Sequence, residues 1–499
     1  MDLTGLLQFA GRRRLERAYA KFAGSNQRTA PSSETTPVGT QQLSLRDLPG
    51  HGLVVGATGG GKTTAVISIL DKSLREVGPR AFGVVDPKGD LFNAARALVA
   101  RAPEALAPIV VDFTAQRPTS YGLLSRRDGE TEERLVDRRM EVFDDVLGRE
   151  NQASLRMSRM LRNTLWLAVE HGVSFPLIEF LLVNSEVLHG LGIRSRNERV
   201  ANYFRNEYGR ERESTALALL ARLDFLLRTE SIRLSLGSDR SIDFCDVMDC
   251  GRPLLINVGG PMLPRHTSKV IQSVILSDLR EATFRRQRRD APYPWFFDEA
   301  QLLMDQPSDE RNLTDILTMA RSFGVNVVLM TQSMKAASPS PAFLRQLETN
   351  TKWLLLFRSS SEDARIIEAG LRATGNVPKE RDANGKLTYL TETEEIRNAL
   401  RDIGSLRTGH AYLWLREGSH PVREVHLPQV DCGSRLPRSA ETLAENSPAE
   451  IEANLHAQAR RLRESVGAAA SGDRSARRNL EAVFDRLDKA LGEDGRHGA

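Results

Sequence analysis

Residues Gly56-Ala57-Thr58-Gly59-Gly60-Gly61-Lys62-Thr63-Thr64, GATGGGKTT, stand between the apolar run HGLVV (51–55) and the segment AVISIL (65–70). Glycine is costly to order, so such a cluster needs a local reason. Without side chains in the way, backbone N–H groups can turn inward around phosphate oxygens. A helix that follows adds the positive end of its dipole. Gly56 through Thr63 fit the pattern G-x-x-x-x-G-K-S/T, and a strand before it with a helix after it is the setting the pattern requires. The expected nucleotide contacts are therefore Gly56, Ala57, Thr58, Gly59, Gly60, Gly61, Lys62, Thr63 and Thr64. Lys62 would reach the β- and γ-phosphates of ATP as a point charge, and the Thr63 hydroxyl would ligate Mg²⁺.

A phosphate loop of this kind needs a carboxylate to orient magnesium and a second to activate water. WFFDEAQ (295–301) supplies both, because an aromatic strand ends in Asp298 and Glu299. Asp298 would hold Mg²⁺ through water, and Glu299 would polarise the attacking water. Two buried carboxylates side by side repel each other, and a bound Mg²⁺–ATP explains why they can be neighbours. A further buried run, VNVVLMTQS (325–333), ends in polar Thr331-Gln332-Ser333. The ends of parallel strands open onto one edge, which would bring Gln332 to the γ-phosphate or its water.

Around these motifs the chain alternates short β-branched runs with helical segments, as a parallel sheet covered on both faces requires. The runs are GLVVG from Gly52, AFGVVD from Ala81, PIVVDF from Pro108, PLLINVG from Pro253, YPWFFDE, VNVVLMTQ, KWLLLFR from Lys352 and GHAYLWLRE from Gly409. Between Ser125 and Asp246 such runs largely vanish in favour of charged amphipathic stretches such as ERLVDRRMEVFDDVL and SRMLRNTLWLAVEHG. The expected fold is α/β, a mainly parallel sheet interrupted by an all-helical insertion. Its parts are a basic N-terminal helix and polar linker (1–44), a first motor segment (45–124), the insertion (125–246), a second motor segment (247–432) and a charged helical tail (433–499).

The 499 residues are 40% hydrophobic and 27% charged, with a formal net charge of +4. That composition is ordinary for a globular chain of two or three domains, and its mild basic bias permits nucleic acid without demanding it. Cys245, Cys250 and Cys432 give no disulfide framework and no CxxC spacing for zinc. No apolar run reaches the roughly 20 residues that span a bilayer. Arg12-Arg13-Arg14 follow the modest N-terminal apolar stretch instead of preceding it, unlike a signal peptide. The expected location is cytoplasmic, with peripheral placement at the inner membrane through partners as an extension.

Taken in order, GATGGGKTT, VVDPKGDL (84–91), FFDEAQLL (296–303), ARSFGVNVVLMTQS (320–333) and NTKWLLLFRSSSEDAR (350–365) resemble the HerA–FtsK superfamily of hexameric P-loop motors. Within it the chain looks most like the TraD/TraG-type coupling ATPases of conjugation and type IV secretion, over about residues 45–430. The resemblance implies a RecA-like P-loop NTPase core, a homo-hexamer, and a γ-phosphate sensor at Gln332. It also implies that Arg321 acts in trans as an arginine finger on a neighbour's nucleotide. Arg358 is a second candidate for that interface. Asp86 and Lys88 fall on the active edge, and the residues alone assign them no chemistry. Many coupling proteins carry an N-terminal membrane anchor, and no run of that length stands here.

DNA is the cargo the resemblance implies, gripped through phosphates without sequence preference. Arg285, Arg286, Arg288 and Arg289 of FRRQRRD, and the insertion's RNERVANYFRNEYGRER, could serve that grip, arginines on the backbone and interleaved aromatics stacked on bases, although a basic run at the end of a helix is more often a solvated face. The leading reading is a translocase delivering DNA, or a relaxase–DNA complex, to a secretion channel. The alternatives are a HerA-like DNA-processing or phage-defence motor working with a nuclease, and a secretion ATPase powering protein export or pilus assembly.

Overall fold

A strand buried on both faces has no need to alternate polar with apolar residues, and the runs singled out above are apolar nearly throughout. The computed structural model describes residues 43–76, 81–101, 108–115, 119–148, 152–210, 212–238, 241–259, 263–304, 306–337, 340–371, 378–381, 387–416, 422–430 and 448–467. The basic segment at 3–23, most of the linker after it, Cys432 and much of the C-terminal tail lie outside these residues.

The strands are β1 (His51–Val55), β2 (Gly83–Asp86), β3 (Ile109–Asp112), β4 (Leu254–Asn257), β5 (Tyr293–Phe297), β6 (Val325–Thr331), β7 (Thr351–Leu356), β8 (Pro378–Arg381), β9 (Leu387–Tyr389), β10 (His410–Leu415) and β11 (Arg423–His426). Nine of them form one sheet in the order β11-β10-β7-β1-β6-β5-β2-β4-β3, and β8 pairs with β9 apart from it. β1 is parallel to β6 and β7, β5 to β6, and β2 to β4 and β5. The β10–β11 hairpin is antiparallel and closes the β7 edge. The architecture is α/β with a mainly parallel sheet, as expected. The short β11, whose side chains are largely exposed, carries too little apolar signal to be read beforehand.

The described residues divide into two compact units, the first drawn from Met1–Val110, Phe244–Gly260 and Asp278–Glu441 and the second from Val111–Asp243, Pro261–Ser277 and Thr442–Ala499. In the first, one sheet face carries Val54, Val84, Leu255, Phe296, Val328 and Leu355. It packs against helices α1 (Lys62–Arg75) and α2 (Asp90–Val99) through Val66, Leu70, Leu91 and Phe92. Gly83 stands beside Trp295 in the ladder, and a Cβ there would lie 2.2 Å from the indole, so the small residue makes room for the large one.

Arg286 corrects one expectation. Only 1% exposed, it donates to the carbonyls of Phe323, Gly324 and Ala291 and pairs with Asp249 at 3.3 Å. It ties the chain before β5 to the turn before β6 and is not available to grip a polyanion.

In the second unit the regular elements among the described residues between Asp112 and Asp243 are helices, the longest being Gln152–Glu170. Arg138 forms a buried ion pair with Glu130 at 2.6 Å, and Arg139 donates to the Leu123 carbonyl at 2.7 Å. Helix Pro448–Gly467 belongs to this unit. It buries Ile451, Leu455 and Leu462, and Gln458 exchanges hydrogen bonds with Ser174 at 2.7 and 2.8 Å. Tyr203, Phe204 and Tyr208, the aromatics expected to stack on bases, are buried against one another, with Phe204 and Tyr208 centroids 4.9 Å apart. They form core, not a nucleic-acid surface. No helix of the described residues is long and apolar enough to cross a membrane.

His51 opens β1, 2% exposed, and its Nδ1 accepts the Val327 N–H at 2.9 Å. Burial, with Arg321 and Lys352 nearby, lowers its pKa to about 4. A depressed folded-state pKa means stability that is full above the unfolded value near 6.5 and is lost as pH falls toward 4. Urea unfolding should show His51 costing the fold about 2 kcal/mol at pH 5 relative to pH 7. His51→Gln, which keeps an acceptor for Val327, should flatten that slope, and an unchanged slope would count against the assignment.

Candidate functional site

Four parallel strands, β1, β6, β5 and β2, lie side by side and end at one edge. The phosphate loop leaves β1 there. Its conformation follows from its glycines: Gly59 and Gly61 have φ of 76° and 104°, which L side chains rarely adopt. A Cβ on Gly61 would also lie 2.8 Å from the Gly409 nitrogen. The loop is braced from both sides. Gly56 N–H donates to Thr331 O at 3.2 Å, Ala57 N–H to Arg358 O at 2.8 Å, and Gly409 N–H to Gly60 O at 3.3 Å. The Thr408 hydroxyl donates to Gly59 O at 3.4 Å.

Helix α1 begins at Lys62, and Ala65 N–H to Gly61 O at 2.9 Å is an early bond of its ladder. The amides of Lys62, Thr63 and Thr64 therefore precede that ladder and are helix-start donors without an intrahelical partner. No side chain caps them. This set of donors, with a lysine among them, fits a polyphosphate. The Lys62 ammonium donates to Gly56 O at 2.6 Å. Burial lowers its pKa, opposed by the charges of Glu299 and Asp298. Thr58 and Gly59 are exposed, and Thr63 and Thr64 are half-buried at the helix start.

At the end of β5, Asp298 and Glu299 are both buried. Asp298 accepts the Glu299 N–H at 3.0 Å. Burial, then the charge of Asp86, raises its pKa to about 6. Asp86 itself accepts the amides of Lys88 at 2.7 Å and Phe92 at 2.9 Å, which shapes the turn into α2. Glu299 has φ of 45°, in the left-handed region. That strain costs a non-glycine residue on the order of 1 kcal/mol and is characteristic of functional positions. Gln332 Nε2 reaches both of its carboxylate oxygens, at 3.0 and 3.2 Å, and Lys88 and Gln301 also donate to it. Burial raises the Glu299 pKa, but the hydrogen bonds of Lys88 and Gln301 outweigh it and hold the carboxyl below its ordinary value.

Lys62, Asp298, Glu299 and Gln332 thus occupy one sheet edge. Arg321 does not join them. It lies exposed in the turn before β6, near His51, at the opposite end of strands about 20 Å long. Arg358 stands at the phosphate edge of its own chain, its carbonyl holding Ala57, which places it away from Arg321. Lys88 and Gln301 join the site without having been assigned to it. The DPKGD motif was the available signal, and which side chain its lysine meets depends on β2 lying beside β5.

Parallel sheet, phosphate loop and facing carboxylates define a RecA-like P-loop NTPase core. Among solved structures the chain is similar to the plasmid coupling protein TrwB in complex with the GTP analogue GDPNP, with a TM-score of 0.54, 19% identity, and coverage of 84% of this chain and 94% of that one. It is similar to TrwB with the ATP analogue ADPNP, at a TM-score of 0.51, 18% identity and coverage of 83% and 94%. With TrwB bound to ADP and Mg²⁺ the values are 0.50, 18%, 77% and 87%. At this identity the likeness is one of fold. No family model and no curated protein matches the sequence.

A raised carboxyl pKa means that ionised Asp298 destabilises the nucleotide-free fold, by an amount absent below pH 3.8 and complete above about pH 6. Asp298→Asn should therefore be more stable than the parent by about 3 kcal/mol at pH 8 and by no more than about 0.5 kcal/mol at pH 4. Chemical unfolding at the two pH values measures this, and equal stabilities at pH 8 would contradict it.

Proposed function

We propose that the chain is an ATP-hydrolysing motor of the HerA–FtsK type, a coupling ATPase that works as a homo-hexamer and moves DNA, or a relaxase–DNA complex, toward a conjugation or type IV secretion apparatus. One observation carries the reading: Asp298, Glu299 and Gln332 stand on adjoining strand ends, at the same edge as Lys62 of the phosphate loop. A regulatory nucleotide binder has no need of Glu299 and Gln332.

The amides of the phosphate loop and α1 would hold the ATP phosphates, with Lys62 moving from the Gly56 carbonyl onto the β- and γ-oxygens. Thr63 and Asp298 would hold Mg²⁺, the latter through water, and the ion neutralises charge on the β- and γ-phosphates when bound. The structures of TrwB with ADPNP and with ADP and Mg²⁺ support this choice of ligands. Glu299 would accept a hydrogen bond from the attacking water and orient it. Gln332, already on the Glu299 carboxylate, would report γ-phosphate loss to β6. Arg321 would serve the neighbouring subunit's nucleotide, because its own phosphate loop lies at the far end of β1. The domain boundaries proposed for this motor are those read from the sequence, except that residues 111–124 and 261–277 and helix 448–467 group with the helical insertion.

ATPase assays with and without single- and double-stranded DNA test the reading. Turnover should rise with DNA. Lys62→Ala and Glu299→Gln should each lower it by about 100-fold or more, with ATP binding kept only in Glu299→Gln. DNA-independent turnover would favour a protein-export motor instead. Arg321→Ala should bind ATP yet lose about 1,000-fold in rate. Mixing it with Glu299→Gln subunits should restore part of the activity, and no recovery would argue against action in trans.

A further inference from the structure

The Glu299 carboxylate is already occupied. Lys88 Nζ donates to Oε1, Gln301 Nε2 to Oε2, and Gln332 Nε2 to both. A carboxylate offers about four lone-pair sites in all. A water that is to be polarised must donate a proton to one of those oxygens, so a resident donor has to leave first.

The three donors are not equally free to go. Gln301 is tethered at its other end, where its Oε1, at 3.1 Å, shares the single Thr331 hydroxyl proton with the Ser333 carbonyl at 3.0 Å. Gln332 follows directly from β6 and spans both oxygens. Lys88 differs: its side chain is 42% exposed where that of Glu299 is 7% exposed. Its backbone is fixed by Asp86, which accepts the Lys88 amide, while the four-carbon stem remains in contact with solvent. Its ammonium is also the strongest of the three interactions, since both partners carry charge.

We propose that Lys88 is a positioning residue that latches the Glu299 carboxylate in the nucleotide-free protein, and that turnover requires this ion pair to open. The inference rests on Glu299 being the group that orients the attacking water. Phosphate charge entering beside Lys62 supplies a competing anion for Lys88, so arrival of the substrate itself weakens the latch. Whenever the pair re-forms, the water-orienting group is engaged, and hydrolysis is held below the rate of a protein in which the pair is open.

The full chain carrying Lys88→Met, which keeps the stem and removes the charge, is compared with Lys88→Arg and the parent at saturating ATP without DNA. Loss of one charge-assisted bond from the resting state should raise kcat for Lys88→Met by about tenfold. Its KM for ATP should stay within about twofold, and Lys88→Arg should remain at or below the parent rate. A Lys88→Met rate equal to or below the parent's overturns the latch. A second measurement needs no turnover. In nucleotide-free protein, Lys88→Met should lower the melting temperature of the parent but not that of Glu299→Gln, and equal decreases in the two backgrounds overturn the pairing. Full activity in Glu299→Gln overturns the role of Glu299 and the latch together. An inactive Glu299→Gln beside an unaccelerated Lys88→Met removes the latch alone.

Discussion

The phosphate edge depends on β6 lying parallel between β1 and β5. Val55 stands opposite Thr331, and Phe297 opposite Leu329, so the chain leaves all three strands within a residue or two of the same level. Strands about 4.8 Å apart then deliver the phosphate loop, Gln332 and the acidic pair side by side without any long-range steering. What fixes the arrangement is apolar: β1, β5 and β6 are buried on both faces with hardly a break. A polar interruption in any of them would weaken the register on which the chemistry depends.

That edge also concentrates charge. Asp86, Asp298 and Glu299 are buried close to Lys62 and Lys88. Two of the carboxylates are well provided for, Asp86 by backbone amides and Glu299 by a cation and two side-chain amides. Asp298 receives one backbone amide among the described residues and carries the raised pKa. The group least compensated by the protein is the one proposed to face a divalent ion, which is where an electrostatic deficit is useful.

Strand existence, the phosphate loop and the acidic pair were legible because each is written locally, in a run of β-branched and aromatic residues or in glycines flanking a lysine. Strand order was not. The partner of Lys88 is 211 positions away and becomes evident only when β2 is seen beside β5. Arginines misled for a related reason. The FRRQRRD run reads as a surface patch, yet Arg286 turns inward to satisfy carbonyls at two chain reversals, a role that no periodicity announces. The aromatics at 203–208 likewise read as a stacking platform until Gly192 opens space for Phe204, whose ring would lie 2.1 Å from a Cβ at that position.

Arg321 sits at one end of the central strands and the phosphate loop at the other. If a guanidinium so placed serves as the finger proposed above, it completes another copy's site, and the two surfaces that meet in doing so differ from each other. Such a joint has no twofold axis, so copies added this way run head to tail until the rotation closes on itself. With the proposed finger and the loop at opposite ends of one protomer, the proposal implies a cyclic assembly rather than a symmetric pair, with each member both giving and receiving an arginine.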